Sequence, residues 1–255
     1  MKIKELIHDK EHNYLSIMKI VGVVMWIVGV IASIGMIFIA IGIGFLFLSI
    51  LESYFKAVIY GNSVKVTEKQ YPDIYKVVKS QSEKLNMQII PDVFICNGNG
   101  LINAFAVRFL SRKYVFLMEN LVDLMLKNNK KDELNFIIGH ELGHHAAGHL
   151  DVKRNLLIKP AFIIPFLGAA YSRACELTAD RIGFKLTGKI SSSENALVAL
   201  AHGSESLVTK TNIDEFISQE KEIPEIMGFL YKVFSLHPFM TRRVLEIRNF
   251  NKITS

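Results

Sequence analysis

Hydrophobic positions dominate the chain near its N-terminus, where residues 20–51 include no charged side chain. A helix that crosses the hydrocarbon core of a bilayer needs about 20 residues, so this run is too long for one comfortable span and slightly short for two. Extending it to Tyr14 and Tyr60 adds only three charged residues near the ends, Lys19, Glu52 and Lys56. We therefore predict a transmembrane helical hairpin over residues 14–60 that turns near residues 33–35; a single long tilted span is the alternative.

Two groups of lysines flank the apolar run and set its expected orientation. Three precede it and six follow it: Lys2, Lys4 and Lys10, then Lys56, Lys65, Lys69, Lys76, Lys79 and Lys84. Because flanks rich in lysine stay in the cytoplasm, both ends of a hairpin are expected there. The predicted organisation is a cytoplasmic segment 1–13, a membrane anchor 14–60 and a domain 61–255 facing the cytoplasm. The two cysteines, Cys96 and Cys175, make no disulfide framework and fit a reducing compartment.

Residues 61–118 alternate between polar turn signals and short apolar runs. A helix is predicted from Pro72 to about Leu85, followed by strands over 91–96, 101–109 and 113–118. The turn signals between the strands lie at 97–100 and 111–112. We predict a small antiparallel β-sheet from this pattern.

After Glu119 the hydrophobic period becomes helical. The predicted helices cover about 119–128, 131–150, 165–188, 193–208, 213–221, 224–235 and 239–249. The apolar stretch 156–171 contains Lys159 and two prolines, so we interpret it as a buried or membrane-touching connection rather than a third span. The fold class is therefore mostly α with a small antiparallel sheet, plus the N-terminal hairpin.

Composition and charge limit the possible partners. Half of the residues are hydrophobic and the net charge is +6, with the charges spread along the chain. No lysine- or arginine-rich block of the kind that binds nucleic acid occurs, so nucleic acid is not an expected partner. The excess of lysine suits an anionic lipid bilayer surface.

Candidate chemistry lies in the sequence F-I-I-G-H-E-L-G-H-H-A-A-G-H, residues 136–149. On a helix, His140 and His144 are only about 40° apart, so their imidazoles converge on one point. Two imidazoles at this spacing suit Zn²⁺, and Glu141 beside them is placed to contact a metal-bound water. The alternative is a helix with ordinary core histidines. His145 and His149 lie about 100° and 140° from His144, which favours a structural or solvated role.

The glycines of this helix, Gly139 and Gly143, lie on the side away from the histidines. Without a Cβ there, another element can pack closely. A catalytic zinc site needs a third ligand, and the next candidates are in the sequence R-A-C-E-L-T-A-D, residues 173–180. Arg173, Glu176 and Asp180 share one helix face between apolar flanks.

Two interpretations of that face are open. In the first, Glu176 is a zinc ligand and Asp180 accepts a hydrogen bond from the second ring nitrogen of a ligand histidine. In the second, Arg173, Glu176 and Asp180 form a solvated row of salt bridges. Cys175 is an alternative soft ligand, although it points about 100° away from Glu176.

Four motifs in this order resemble the integral-membrane zinc metallopeptidases of the HtpX and CAAX prenyl protease type 1 group. They are N-A-F-A (103–106), H-E-L-G-H (140–144), R-A-C-E-L-T-A-D (173–180) and H-P-F-M-T-R-R (237–243). The resemblance implies a zincin-like catalytic domain with one Zn²⁺ per chain. It implies His140, His144 and Glu176 as zinc ligands, Glu141 as general base and the supporting role of Asp180.

The resemblance also implies two further groups of site residues. Asn103, Ala104, Phe105 and Ala106 are expected to border the substrate cleft. His237 and Arg243 are expected near the catalytic centre, with Arg242 as the neighbouring alternative. Because only 31 residues separate His144 from Glu176, the chain resembles a short form without the additional membrane helices of the better-known members.

The expected function is that of a membrane-anchored zinc endopeptidase. Its expected partners are a polypeptide substrate, such as a membrane or misfolded protein, and the lipid bilayer. Quality control of membrane proteins is the expected context. The alternatives are a zinc-binding pseudoprotease that acts as a membrane scaffold, and an interaction module in which the histidines are core residues.

Overall fold

The structure is a computed structural model that describes residues 1–100, 102–109, 112–127, 131–164, 166–203, 207 and 210–254. Several sequence predictions extend beyond these residues. Leu101 of the predicted second strand, Ser111 of the predicted turn, and residues 128, 165, 204–206 and 208 of the predicted helices lie outside the described part.

Two apolar helices form the N-terminal hairpin. Helix α1 covers Asp9–Ala32 and helix α2 covers Met36–Asn62. The turn between them uses Gly35, whose φ of 81° lies in the left-handed region. Both helices are long and apolar enough to cross a membrane, and only 11% and 6% of their most apolar windows are buried. The predicted helical hairpin with its turn at 33–35 is confirmed, whereas its crossing of the bilayer as two spans stays a prediction.

The sheet is mixed rather than antiparallel. Its strands in the described part of the chain are β1 (Val64–Lys65), β2 (Asp92–Cys96), β3 (Ala104–Arg108) and β4 (Lys113–Met118), in the order β1-β2-β4-β3. Strand β4 is antiparallel to β3 but parallel to β2. The prediction of an antiparallel sheet was wrong at this pair, because β3 lies at the outer edge and β4 is paired between β2 and β3. The turn at 97–100 therefore begins a crossover instead of closing a hairpin.

Helices make up most of the remaining domain. They are α3 (Pro72–Lys84), α4 (Glu119–Lys127), α5 (Lys131–Ala146), α6 (Val152–Ile158), α7 (Leu167–Thr187), α8 (Ile190–His202), α9 (Ile213–Ser218), α10 (Glu225–Phe234) and α11 (Met240–Thr254). A 3₁₀ turn, Lys159–Ile163, joins α6 to α7. The stretch 156–171 is thus a broken connection in the described residues, as predicted, and not a third span.

The two hairpin helices pack on different parts of the domain. Phe55 of α2 contacts the aromatic side chains of Tyr114 and Phe116 on β4. Helix α1 packs instead along α6, the 3₁₀ turn and α7, where its Met18 is fully buried. Helix α5 lies in the main hydrophobic core, and its Phe136, Ile138 and Leu142 are almost inaccessible to solvent.

Candidate metal centre

Helices α5 and α7 meet at a glycine contact. A Cβ added at Gly139 would lie 3.1 Å from the Cα of Gly183, and one added at Gly183 would lie 2.8 Å from the carbonyl oxygen of Phe136. At Gly143 an added Cβ would lie 3.2 Å from the side chain of Ile182. The close packing predicted from Gly139 and Gly143 is confirmed, and it brings the acidic face of α7 against the histidine face of α5.

Three side chains from the two helices converge at this contact. The Nε2 atoms of His140 and His144 are 3.2 Å apart. Oε1 of Glu176 lies 3.3 Å from Nε2 of His144, and its Oε2 lies 3.7 Å from Nε2 of His140. One ligand atom from each residue falls within 4.8 Å of the other two, which is close enough for a shared metal ion.

The second ring nitrogens of both histidines have protein partners. Nδ1 of His140 lies 2.8 Å from Oδ1 of Asp180, and Nδ1 of His144 lies 2.9 Å from Nδ1 of His149. Ligand histidines in zinc sites are held in this way, with one nitrogen on the metal and the other in a hydrogen bond. Two imidazoles and one carboxylate, with room for a further ligand, are a donor set of catalytic zinc sites. The residues therefore fit Zn²⁺.

Neither the solvated row of salt bridges nor Cys175 as a zinc ligand matches the contacts of α7. Arg173 donates to the backbone oxygens of Lys232 and Ser235, so it forms no salt-bridge row with Glu176 and Asp180. Cys175 lies near Glu11 and His149 instead of the paired histidines. Burial raises the pKa of its thiol strongly, which disfavours the thiolate that binds metals.

Charged partners set the protonation of the buried carboxylates. Burial raises the pKa of Glu176, but hydrogen bonds from His144 and His237 more than compensate, so the pKa lies well below its usual value. For Asp180, burial likewise raises the pKa, but the charge and hydrogen bonds of Arg243 together with His140 lower it by more, so the pKa lies below its usual value. Both groups are therefore ionised at neutral pH. Glu141 differs, because burial dominates and raises its pKa.

A cleft of about 540 Å³ contains the centre. The cleft is lined by the residues that the sequence analysis expected at the site. They are Asn103, Ala104, Phe105 and Ala106 of the strand, the candidate ligands His140, His144 and Glu176, and Glu141, His237 and Arg243. Asp180 lies directly behind His140. The residues that the resemblance implied for the site are thus brought together at one place, whereas the alternatives Arg173, Cys175 and Arg242 lie outside the cleft.

His237 and Arg243 occupy different positions in that cleft. His237 has a 66% exposed side chain, and its Nδ1 lies 3.1 Å from Oε2 of Glu176. That hydrogen bond raises the pKa of His237. Arg243 is only 8% exposed and donates to both Asp180 oxygens, from Nε at 2.8 Å and Nη2 at 2.6 Å. Arg242 instead pairs with Glu246 at 2.6 Å.

Sequence reasoning missed the partners behind His144. His149, assigned a structural or solvated role, contacts His144 directly, and Glu11 of α1 lies 3.1 Å from its Nε2. A carboxylate in the first turn of a helix is an ordinary sequence feature, and Asp9 lies in the same turn as Glu11. The distance of 138 residues between Glu11 and His149 means that no local pattern could have linked the two.

Comparison with known proteins agrees with this geometry. The profile described as Peptidase family M48 matches residues 68–158 and 151–251, well over half of the chain. No curated protein sequence matches the chain significantly. The crystal structure of S. mikatae Ste24p matches over 84% of this chain with a TM-score of 0.51 and 15% sequence identity, and the chain spans 57% of that structure. The likeness to Ste24p shows the fold, and the family profile includes the whole metal centre. The chain belongs to peptidase family M48.

Proposed function

We propose that the protein is a membrane-anchored, zinc-dependent endopeptidase. The observation that carries the proposal is the convergence of His140, His144 and Glu176 within 4.8 Å, at the floor of a cleft that also contains Glu141. Membership of family M48 supports a peptidase, and the two apolar helices support membrane association. A zinc ion bound there supplies a Lewis acid and lowers the pKa of a water molecule to about 7.

Glu141 acts as the general base in this proposal. Its carboxylate takes the proton from the attacking water and then passes it to the nitrogen of the leaving amine. Burial raises the pKa of Glu141, which moves its proton affinity towards that required for proton transfer near neutral pH.

Of His237 and Arg243, His237 is the better donor of a hydrogen bond to the tetrahedral oxyanion. It is exposed to the cleft and its raised pKa favours the charged form beside Glu176. Arg243 is committed to Asp180 by two hydrogen bonds, so we assign it a positioning role. Asp180 in turn holds Nδ1 of His140 in the orientation that points Nε2 at Glu176.

The outer edge of β3 is the proposed binding place for an extended polypeptide. Met118 donates to the Asn103 oxygen and Phe109 donates to the Arg112 oxygen. Since alternate residues of an antiparallel strand bond to the same neighbour, Ala104 and Ala106 direct their backbone groups away from β4. A substrate strand can pair there by main-chain hydrogen bonds, which suits membrane or misfolded proteins of varied sequence.

The domain boundaries and orientation belong to the same proposal. Residues 1–13 and the peptidase domain 61–255 face the cytoplasm, and residues 14–60 cross the bilayer twice. The lysines on both flanks of the hairpin support this topology.

Glu141→Gln tests the mechanism against a matched variant in the same helix, Glu133→Gln, which changes another buried glutamate. Zinc content is measured by metal analysis, and cleavage is measured with casein in the presence and absence of a chelator. We expect all three proteins to bind one zinc ion, and only Glu141→Gln to lose cleavage by several orders of magnitude. Full activity of Glu141→Gln would remove Glu141 from the mechanism. Zinc binding without any cleavage by the wild type would favour the pseudoprotease scaffold.

A further inference from the structure

Helix α10 exposes an unusual amount of apolar surface. Six of its side chains are between 41% and 77% exposed: Ile226, Met227, Phe229, Leu230, Tyr231 and Phe234. Only Gly228 and Val233 are buried. A helix of a soluble protein carries such residues on its core side, so this helix lacks the polar outer face that water requires.

A second apolar segment follows α6. Phe162, Ile163, Ile164 and Phe166 are between 37% and 74% exposed. Lys159 is the charged residue of this turn, and its Nζ lies 5.4 Å from the centre of the Phe162 ring, so its apolar stem follows the same surface. We call residues 156–164, Phe166 and α10 together the apolar flank.

The apolar flank lies beside the part of α1 that is predicted to enter the bilayer. Trp26 donates to the Leu156 oxygen at 3.1 Å, and Gly22 contacts the Leu157 backbone. Near the start of the apolar run, Tyr14 shares a cavity with Lys232 of α10. At 1.5 Å per residue, Gly22 and Trp26 are about 12 and 18 Å along the helix from Tyr14. If the bilayer begins near Tyr14, Leu156 lies well inside the hydrocarbon.

We propose that the apolar flank is a second membrane-contacting surface and that its occupant is the lipid bilayer. Its continuity with α1 favours lipid over a second protein, because the same bilayer that surrounds the hairpin reaches the flank without any further partner. The peptidase domain is then partly immersed, and the residue His237 follows the immersed α10 after two residues. The metal centre is consequently held next to the membrane surface.

Quenching of tryptophan fluorescence by lipids with brominated acyl chains tests the proposal. The chain contains one tryptophan, Trp26, so Trp26→Phe provides a silent background. Single tryptophans are introduced by Ile163→Trp and Phe229→Trp, with Phe234→Trp as a second position on α10. The control is Ile253→Trp, because Ile253 is 83% exposed near the C-terminal end of α7, where Lys185 contacts Thr254.

In vesicles of brominated phosphatidylcholine, the fluorescence of tryptophan at each of the three flank positions should be quenched roughly threefold or more relative to the control. Such quenching is expected for side chains several ångströms below the headgroups. Quenching equal to that of Ile253→Trp at all three positions would overturn the proposal. Emission that is insensitive to brominated lipid but shifts with protein concentration would also overturn it, and would assign the flank to a second copy of the chain.

A different set of contacts supports a second inference. Glu11 is 1% exposed at the start of α1, and its Oε2 lies 3.1 Å from Nε2 of His149. Thr178 donates to the same carboxylate at 2.6 Å, and Arg154 donates to its Oε1 at 2.7 Å. His149 then reaches His144 through its Nδ1.

The hydrogen positions in this chain of contacts follow from the metal centre. When Nε2 of His144 faces Glu176, its Nδ1 carries the hydrogen and donates to Nδ1 of His149. His149 must then carry its hydrogen on Nε2, from which it donates to Glu11. Glu11, His149 and Cys175 are close enough to hold a metal ion, but these bonds and the Arg154 charge occupy the ligand atoms of Glu11 and His149.

We infer that Glu11 and His149 are positioning residues for the zinc ligand His144, an inference that rests on the proposed zinc site. The anchor helix α1 then contributes a carboxylate to the peptidase domain. His144 is oriented through His149 and Glu11 in the same way that His140 is oriented through Asp180.

Glu11→Gln tests this inference, with the exposed Glu5→Gln as control. We expect the zinc affinity, measured by competition with a chelating dye, to fall by roughly 10–100-fold in Glu11→Gln and to stay unchanged in the control. The ¹⁵N chemical shifts of His149 should show the Nε2–H form in the wild type and a mixture of forms in Glu11→Gln. His149→Gln should lower zinc affinity by a similar factor.

The outcomes separate this inference from the proposed function. A wild-type protein that binds no zinc would contradict the zinc site itself. If the wild type binds zinc tightly and both Glu11→Gln and His149→Gln bind it with the same affinity, only the positioning role is overturned.

Discussion

The glycine contact between α5 and α7 makes Gly183→Ala the most informative single substitution. The added Cβ would lie 2.8 Å from the Phe136 oxygen and 3.1 Å from the His140 nitrogen. Both are backbone atoms of α5, so no side chain can rotate away. The helices must therefore separate by about 0.6 Å to restore ordinary van der Waals contact.

Two opposing effects determine the stability of Gly183→Ala. Replacing glycine by alanine inside a helix stabilises by about 1 kcal/mol. Overpacking of a rigid contact costs about 1–3 kcal/mol. We therefore expect net destabilisation of up to about 2 kcal/mol, or a decrease in Tm of up to about 4–8 °C. Gly61→Ala is the matched control, because an added Cβ there meets no atom within 4 Å.

The same displacement should weaken the metal centre. Zinc–ligand distances vary by only about 0.2 Å between sites, so a 0.6 Å shift of His140 from Glu176 exceeds what the site tolerates. We expect the zinc affinity of Gly183→Ala to fall roughly tenfold or more. Thermal unfolding and zinc competition measured on both variants provide the test. A higher Tm with wild-type zinc affinity in Gly183→Ala would refute the close contact of the two helices.

Three further predictions concern the site and its surroundings. Asp180→Asn should weaken zinc binding by roughly 10–100-fold, because an amide offers Arg243 and His140 one neutral oxygen in place of two charged ones; unchanged affinity in a chelator titration would contradict the role. Burial lowers the pKa of His145 to about 4 from 6.5, so the unfolded state binds more protons between these values. The metal-free protein should therefore lose up to about 3 kcal/mol of stability as pH falls from 6.5 to 4, and His145→Asn should flatten that profile in thermal unfolding. Ala106→Pro should raise the KM for peptides with little change in zinc content, whereas Ala106→Ser should resemble the wild type; equal KM values would remove the β3 edge from substrate binding.

Local patterns in the sequence were sufficient for much of the architecture. The uncharged run and Gly35 predicted the hairpin and its turn, because the length of an apolar helix is set by the thickness of the hydrocarbon. The spacing of His140 and His144, and of Glu176 and Asp180, predicted which side chains share a helix face. Such predictions depend on a period of 3.6 residues, which is a property of the backbone alone.

Other features depended on contacts between distant parts of the chain. Strand β4 became parallel to β2 only because β3 lies at the outer edge, a choice that turn residues do not encode. Arg173 shares a face with Glu176 in sequence, yet its guanidinium is used by the C-terminal end of α10. The difference between the exposed His237 and the buried Arg243 likewise appears only when α11 is packed against α7.

The sequence by itself determined the two apolar helices, the mostly helical class and the side chains able to hold zinc. Only the tertiary structure decided what lies behind and around those side chains, including Glu11 at 138 residues from His149 and the exposed apolar surface of α10. The physical reason is that periodicity defines the direction in which a side chain points, whereas the identity of its partner depends on the packing of whole elements. The glycines of α5 depend on both levels: their positions can be read from the sequence, whereas their effect, the short distance between α5 and α7, requires the packed structure.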